Sequence, residues 1–477
     1  MIDQPRKCAL PARCVLLSTV HVALSVSAAG AMLLAAGSVH AGSVCDADGS
    51  GSSGFSIATG TSAFACGFNS FASGVSSIAV GNFNAAIGGT SSAVGHDNAA
   101  FGEFSSALGY ANISDERSSS AIGSSNAAGG QESSAVGYSN YSSGTASSAL
   151  GYNNAALGES SSALGYANTA GARNSSAIGS GNVATGQDSN AVGYSNSASN
   201  FYASALGYSN SASGIASSAI GAGNSATGDN GSALGHANSA SGLSSSAVGY
   251  LNSASSHGSS AVGYRNFANG DFSLAMGALS ATGTGATSSI ALGSSALVSN
   301  NAINAIAIGT DATAQTSDAI AIGTGATATH AKSIALGSGS VTASDNSVSV
   351  GAPGAERRLQ NVAPGVNGTD AVNMDQLNAA MGSSVTTISA SLDALDSRLT
   401  ARINETGAIS AAFSQMTPPS APGKSSVGIG LGFQSGQTGV ALGLSHVPLT
   451  LPGVVLRGTV GHAGRTTSGG VGASFEF

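Results

Sequence analysis

Apolar and polar positions alternate along this chain in a short phrase that returns for almost three hundred residues. It reads Ser-Ser-Ala-Leu-Gly-Tyr-Ala-Asn at Ser105 to Asn112 and Ser-Ser-Ala-Val-Gly-Tyr-Ser-Asn at Ser133 to Asn140, then Ser-Ser-Ala-Ile-Gly-Ala-Gly-Asn at Ser217 to Asn224. The glycine after the aliphatic residue recurs every 14 residues from Gly67 to Gly277, after 16 at Gly293 and Gly309, and after 14 again at Gly323, Gly337 and Gly351. A fixed period held this long marks a solenoid, whose units bury a core only by stacking on one another. Fourteen residues are too few for a helix pair and enough for two short strands and two turns. Frequent Gly, Ser and Asn deny helices their length, while Ile, Val and Leu sit where a short strand wants them. The pattern therefore predicts a parallel β-solenoid of 21 coils. At roughly 4.8 Å per coil it would be about 100 Å long.

Successive strand residues point to opposite faces, so Ala107 and Leu108 cannot both enter one interior. The narrow inside suits Ala and Gly, and the aliphatic column must be covered by something else. Burial against other copies of the chain is the simpler solution and predicts a homo-oligomer. Asn stands three residues after the glycine from Asn84 to Asn266 without a gap. It reads as a turn residue that tolerates left-handed backbone and stacks its amide on the next coil, with ligand binding as the competing reading. Tyr follows the glycine at Tyr110, Tyr138, Tyr152, Tyr166, Tyr194, Tyr208, Tyr250 and Tyr264, with His96 and His236 substituting. Such a ladder is structural if covered and a contact surface if exposed. After Gly277 both columns give way to Thr and Ala, as at Thr310, Thr313, Thr324 and Thr327, so the last five coils form a distinct sub-region.

Beyond the repeats the period changes twice. Val385, Ile388, Leu392, Leu395 and Leu399 follow a heptad, with Asp396 and Arg398 beside the seam, predicting a coiled coil of barely three heptads shared by several chains. It ends by Phe413, and Thr369 or Asp370 would cap the start of the helix. Four segments of about ten residues then span 425–434, 438–447, 453–462 and 469–477. In the first, Val427, Ile429, Leu431 and Phe433 share one face and Gly428, Gly430 and Gly432 the other. The second opposes Val440, Leu442 and Leu444 to Ala441, Gly443 and Ser445. Apolar-out, small-in alternation is that of transmembrane β-strands. Parity puts Gly430, Gly443, Arg457, Thr459 and Glu476 inward, with an Arg457–Glu476 lumen salt bridge as a candidate. Four strands cannot close a barrel, and open edges are not tolerated in lipid. Two chains would leave no room inside, whereas three would close twelve strands around a lumen whose glycine wall admits the helical stalk.

Composition removes other classes. The 477 residues include 69 glycines, no Trp and 8% charged residues, with a net charge of −8. So few large apolar residues cannot make a three-dimensional core, though they can make a one-dimensional stack. Arg117, Arg173, Arg265 and Lys332 are the repeat region's basic residues, so no stripe tracks phosphates and nucleic acid is not a partner. No Cys/His metal spacing, phosphate loop or nucleophile elbow is present, so neither cofactor nor enzymatic chemistry is expected. Residues 1–41 read as an export signal, with Arg6, Lys7 and Arg13 before the apolar run Val15 to Ala36 and small residues at Val39-His40-Ala41. An uncleaved membrane anchor is the alternative. Cys8 and Cys14 would leave with the signal, and Cys45 and Cys66 are then candidates for a disulfide closing the first coil.

The stretch from Glu356-Arg357-Arg358-Leu359-Gln360-Asn361-Val362-Ala363 through Thr369-Asp370-Ala371-Val372-Asn373 to Gln376-Leu377 resembles the neck of YadA-like trimeric autotransporter adhesins. The 14-residue phrase resembles the β-roll heads of the same family, and the last four segments resemble its C-terminal anchor, in which three chains build one twelve-stranded pore. The resemblance implies an all-β chain with a short coiled coil. Its parts would be a signal (1–41), a flexible lead-in (42–64), head repeats (65–351), neck (352–377), stalk (378–415) and membrane anchor (416–477). It also implies a neck clamp between subunits at Arg357, Arg358, Asn361 and Asp370, and an aromatic ending, Phe477, read by outer-membrane assembly machinery. The expected function is attachment of a homotrimer, anchored in the outer membrane of a Gram-negative bacterium, to host cells or extracellular matrix or to sister bacteria. The alternative is a structural rod for autoaggregation, biofilm or serum protection. An ice-binding solenoid would need a flat threonine array, which only the coils after Gly277 approach.

Overall fold

A computed structural model describes residues 43–45 and 56–477. The expected signal at 1–41 and residues 42 and 46–55 of the expected lead-in lie outside the described residues, while its described parts are not a free linker: Ser43–Cys45 and Ile57–Ala58 are strands paired with residues 64–66 and Phe71–Ala72. The chain divides into two compact units, Met1–Arg357 and Arg358–Phe477.

In the first unit each coil supplies a long strand, such as Ser134–Tyr138, and a two-residue strand, such as Tyr141–Ser142. Long strands pair only with long strands, in parallel, so Ser134, Ala135, Val136, Gly137 and Tyr138 stand beside Ser148, Ala149, Leu150, Gly151 and Tyr152. Short strands make a second parallel sheet, with Tyr141 beside Ala155. Register is secure because a slip of one residue would exchange the inner and outer columns. Ala107 is fully buried while Leu108 is 46% exposed, so the long strands turn methyl groups inward, beside buried Ser and Asn columns, and the aliphatic column lies outside. The glycine after it has a positive φ, 119° at Gly165, and a Cβ there would stand 2.1 Å from the carbonyl oxygen of Gly179 in the next coil. Only glycine fits both the backbone and the space.

The asparagine column is an interior ladder. Asn168 Nδ2 donates to Asn154 Oδ1 at 2.9 Å, to Leu164 O at 2.9 Å and to Gly179 O at 2.8 Å, tying three coils together. The amide does stack on the next coil, but the asparagine itself is not left-handed. That conformation belongs to the residue before it, as at Ala111 (φ 54°) and Ala167 (φ 53°). The left-handed step turns the chain so that the following amide points inward, where it covers carbonyls that water cannot reach. Ser280 ends the ladder, its backbone N–H donating to Asn266 Oδ1 at 2.9 Å.

Both 16-residue steps are lateral loops, not breaks in the stack. Ala281 pairs with Leu297 and Leu297 with Thr313, so the extra residues fall in 283–289 and 299–305, after the short strands. The loops bind each other through Asn301 N to Thr284 O at 2.9 Å and Asn304 N to Thr287 O at 2.9 Å.

The second unit holds helix α1 (Met374–Ser414), then strands β1 (Ser425–Gln434), β2 (Gln437–His446), β3 (Val454–Ala463) and β4 (Thr466–Phe475), an antiparallel sheet in sequence order. The helix begins later than Thr369 or Asp370 would set it. Asn373 is the N-cap and, with Gln376, forms a reciprocal capping box in which Gln376 N donates to Asn373 Oδ1 at 3.0 Å. Asp370 is occupied elsewhere, accepting from Asn367 N at 2.8 Å. The helix runs 41 residues, well past the three heptads of the seam. Up to Ile403 its apolar seam is exposed, and from Glu405 it lies on the sheet, burying Glu405, Ala408, Ile409 and Ala412. The fourth strand starts at Thr466, earlier than the 469 start expected, because Thr466 and Thr467 still pair with Ala463 and His462.

Candidate adhesive surface and membrane anchor

Two surfaces expose apolar or aromatic side chains in ordered rows, one on each unit. On the first, the outward aliphatic residues Leu108, Ile122, Leu150, Leu164, Leu206 and Leu234 form an exposed column along the long strands. At the end of the same strands the aromatics stack. Tyr138, Tyr152 and Tyr166 follow each other at ring-centroid distances of 5.1 and 5.2 Å, nearly parallel, with each ring about half exposed. Tyr194 stacks on Tyr208 at 5.3 Å, and His236, Tyr250 and Tyr264 at 5.1 and 5.4 Å. Stacking follows from in-register parallel strands about 4.8 Å apart, which place identical side chains one above another. Cys45 and Cys66, cross-strand neighbours at a Cα separation of 4.8 Å, are joined by a disulfide. It fixes the strand Ser43–Cys45 to the edge of the long sheet.

The neck residues occupy separate settings. Arg357 Nη1 donates to Ser340 Oγ at 2.7 Å and Val350 O at 2.8 Å, and Nη2 to Ser338 O, so its guanidinium covers the last coil of its own chain. Arg358 and Asn361 are exposed, Asn361 with φ 62°. The Asp370 carboxylate accepts from Asn367 N and, at 2.9 Å, from Val366 N, and these N–H bonds hold its pKa below the usual carboxylate range. A folded pKa that is depressed supplies stability above the unfolded value, about 3.9. That stability is lost as pH falls through the depressed value. Acidification below about pH 4 should lower the protection of the Val366 and Asn367 amides relative to intrinsic exchange at the same pH, and Asp370→Asn should remove that pH dependence.

On the second unit the two faces of the sheet differ completely. Val427, Ile429, Leu431 and Phe433 stand exposed on the outer face, while Gly430 and Gly432 are buried under α1. A Cβ at Gly430 would meet Ala412 O at 2.0 Å, and one at Gly432 would meet Ala408 O at 2.1 Å. Gly443 lies against the Met416 side chain and Gly461 against Ile409 and Phe413. At Gly430 and Gly432 the helix backbone itself approaches the sheet, and no side chain would fit. Arg457 stands opposite Ser445 and Gly472, on this inner face, and Glu476, just past the end of β4, donates its N–H to Gly453 O at 2.8 Å. The register separates Arg457 from Gly453 by four residues, about 13 Å, so within one chain the candidate salt bridge does not form. Phe477 lies two residues beyond β4.

Sequence reasoning passed over Glu405. It is nearly fully buried, and its carboxylate accepts from Arg465 N at 3.1 Å and Thr466 Oγ1 at 2.6 Å in the turn between β3 and β4. A local signal exists, since it is the one acid in the last turns of α1 before a run of small residues, but its partners lie 60 residues away.

Among the described residues the first and last strands of the sheet are free edges, the outer face is apolar, and the helix seam has no partner. A sheet with these features is complete only as part of an assembly of chains in a membrane. Comparison with known families agrees. The YadA head domain repeat matches nine stretches between residues 58 and 352, the coiled stalk of trimeric autotransporter adhesins matches 358–399, and the YadA-like membrane anchor domain matches 418–477. The chain belongs to the YadA-like trimeric autotransporter adhesins. Among solved structures, it is similar to the collagen-binding domain of Yersinia adhesin YadA, with 28% identity over 42% of this chain and 86% of that one and a TM-score of 0.25. No curated protein matches it.

Proposed function

We propose that the trimer is anchored in the bacterial outer membrane, displays its head at the cell surface through the pore its own anchors form, and attaches the cell to host cells or extracellular matrix. The exposed, stacked Tyr ladder carries this reading. Tyr offers a rigid amphipathic surface that loses little side-chain entropy on contact. Repeating it along a stiff rod lets weak contacts act together, because each contact after the first is effectively intramolecular.

Deleting the coils between Gly67 and Gly277 in frame removes whole repeats and leaves the neck and anchor intact. Attachment to collagen, fibronectin and cultured cells should fall to the level of non-expressing bacteria while surface trimer is retained. Replacing Tyr138, Tyr152 and Tyr166 together by Ser should lower attachment several-fold without changing the heat-resistant trimer. Loss of culture settling with attachment unchanged would favour the structural rod instead.

A further inference from the structure

We propose that Glu405 is a positioning residue for the anchor: it latches the helix at the mouth of the pore and sets where the exported chain stops. The inference rests on the anchor and is independent of what the head binds. Three observations converge on it. Up to Ile403 the seam of α1 is exposed, and burial begins at Glu405, so this residue marks the level at which the helix enters the sheet. Both tight turns at that end lie beside it. The Gln434 side chain of the β1–β2 turn packs so closely on Gly407 that a Cβ there would meet Oε1 at 1.6 Å. The β3–β4 turn gives Glu405 two donors, Arg465 N at 3.1 Å and Thr466 Oγ1 at 2.6 Å, and Gly464 (φ 54°) leaves room for the carboxylate, since a Cβ there would stand 2.0 Å from Oε1.

The other helix–sheet contacts are apolar: glycine against alanine backbone at Gly430, Gly432 and Gly439, facing Ala412 and Ala408, and Ile409 and Phe413 against Gly461 and Ala463. Contacts of this kind hold the helix against the wall, but they are non-directional and define its height less sharply than a hydrogen bond does. A carboxylate with two directional bonds to one turn defines a single height. In the trimer three such latches would ring the outer mouth, and the polypeptide drawn through the pore would come to rest when each Glu405 reaches its turn. The pore would close at the same moment.

The test uses the full-length chain in outer membranes, with uptake of a large antibiotic normally excluded by that membrane and the single-pore conductance of purified trimer as readouts. Glu405→Ala should raise both at least several-fold while heat-resistant trimer and surface display remain at wild-type level. Glu405→Gln, which keeps an acceptor oxygen, should recover most of the seal, and Thr466→Val, which removes one donor, should leak to an intermediate degree. A Glu405→Ala trimer as tight as wild type would overturn the proposal. If Glu405→Ala does not assemble, Thr466→Val decides: a leaking, fully displayed trimer supports the latch, and a sealed one refutes it.

Discussion

Gly432→Val is expected to abolish the heat-resistant trimer while the chain is still made and exported to the periplasm. Any Cβ at this position would stand 2.1 Å from Ala408 O and 2.3 Å from Ala412 N, and both are backbone atoms that no rotamer change can move. Overpacking a core costs about 1–3 kcal/mol where side chains can shift. Here the helix as a whole must lift from the wall, and three chains suffer the same clash, so roughly 3–9 kcal/mol per trimer is the least to expect. Since about 1.4 kcal/mol is tenfold in an equilibrium, trimer should drop at least a hundredfold, as read on gels of unboiled membranes. Ile429→Val, one of the exposed outward residues of the same strand, should leave the trimer intact. A Gly432→Val protein with normal trimer would mean that the helix does not occupy the glycine face.

Asn168→Leu should have the second-largest effect, opening the head locally and leaving the anchor untouched. The two N–H groups of the amide are shared among three acceptors, and its Oδ1 accepts from Asn182 N at 3.1 Å and Asn182 Nδ2 at 3.0 Å. Leucine of similar size removes all five contacts and leaves buried carbonyls and an N–H without partners, each costing about 1–3 kcal/mol. A loss of about 3–5 kcal/mol per chain follows, allowing for partial relaxation. Coils touch only their neighbours, so the loss should be confined to the coils around residue 168. Limited proteolysis should cut there first, and a thermal melt should show an early step ahead of the main transition. Asn168→Ser should lie between, because Ser70 in the same column already covers one carbonyl, that of Gly81, at 3.0 Å. Uniform destabilisation of the whole head would contradict this account.

How much could be read in advance varied with the range of the interaction. The inward Ala107 and outward Leu108 were legible because strand geometry alone separates their faces. The glycine face of the anchor was legible for the same reason, and with it the need for more than one chain. The Asn column was visible as a column, yet its role was only half readable. Whether an amide points out at a turn or in at the next coil depends on the residue before it adopting positive φ, which Ala111 and Ala167 do not advertise. The helix start was ambiguous because Thr369, Asp370 and Asn373 all have capping chemistry. Asn373 takes the role with Gln376 three residues on, while Asp370 closes its own turn onto Val366 and Asn367.

By itself the order of residues settled the period, the two faces of every strand, the heptad seam and the apolar outer wall, since each follows from side-chain direction over a few neighbouring positions. Tertiary structure alone decided where distant segments meet: the height at which Glu405 finds the turn at Arg465 and Thr466, the glycines that face Ala408 and Ala412, and the two loops that absorb the 16-residue steps by binding each other. Those contacts join residues tens of positions apart, or add to one coil what only its neighbour can accept, and no local pattern in the chain encodes them.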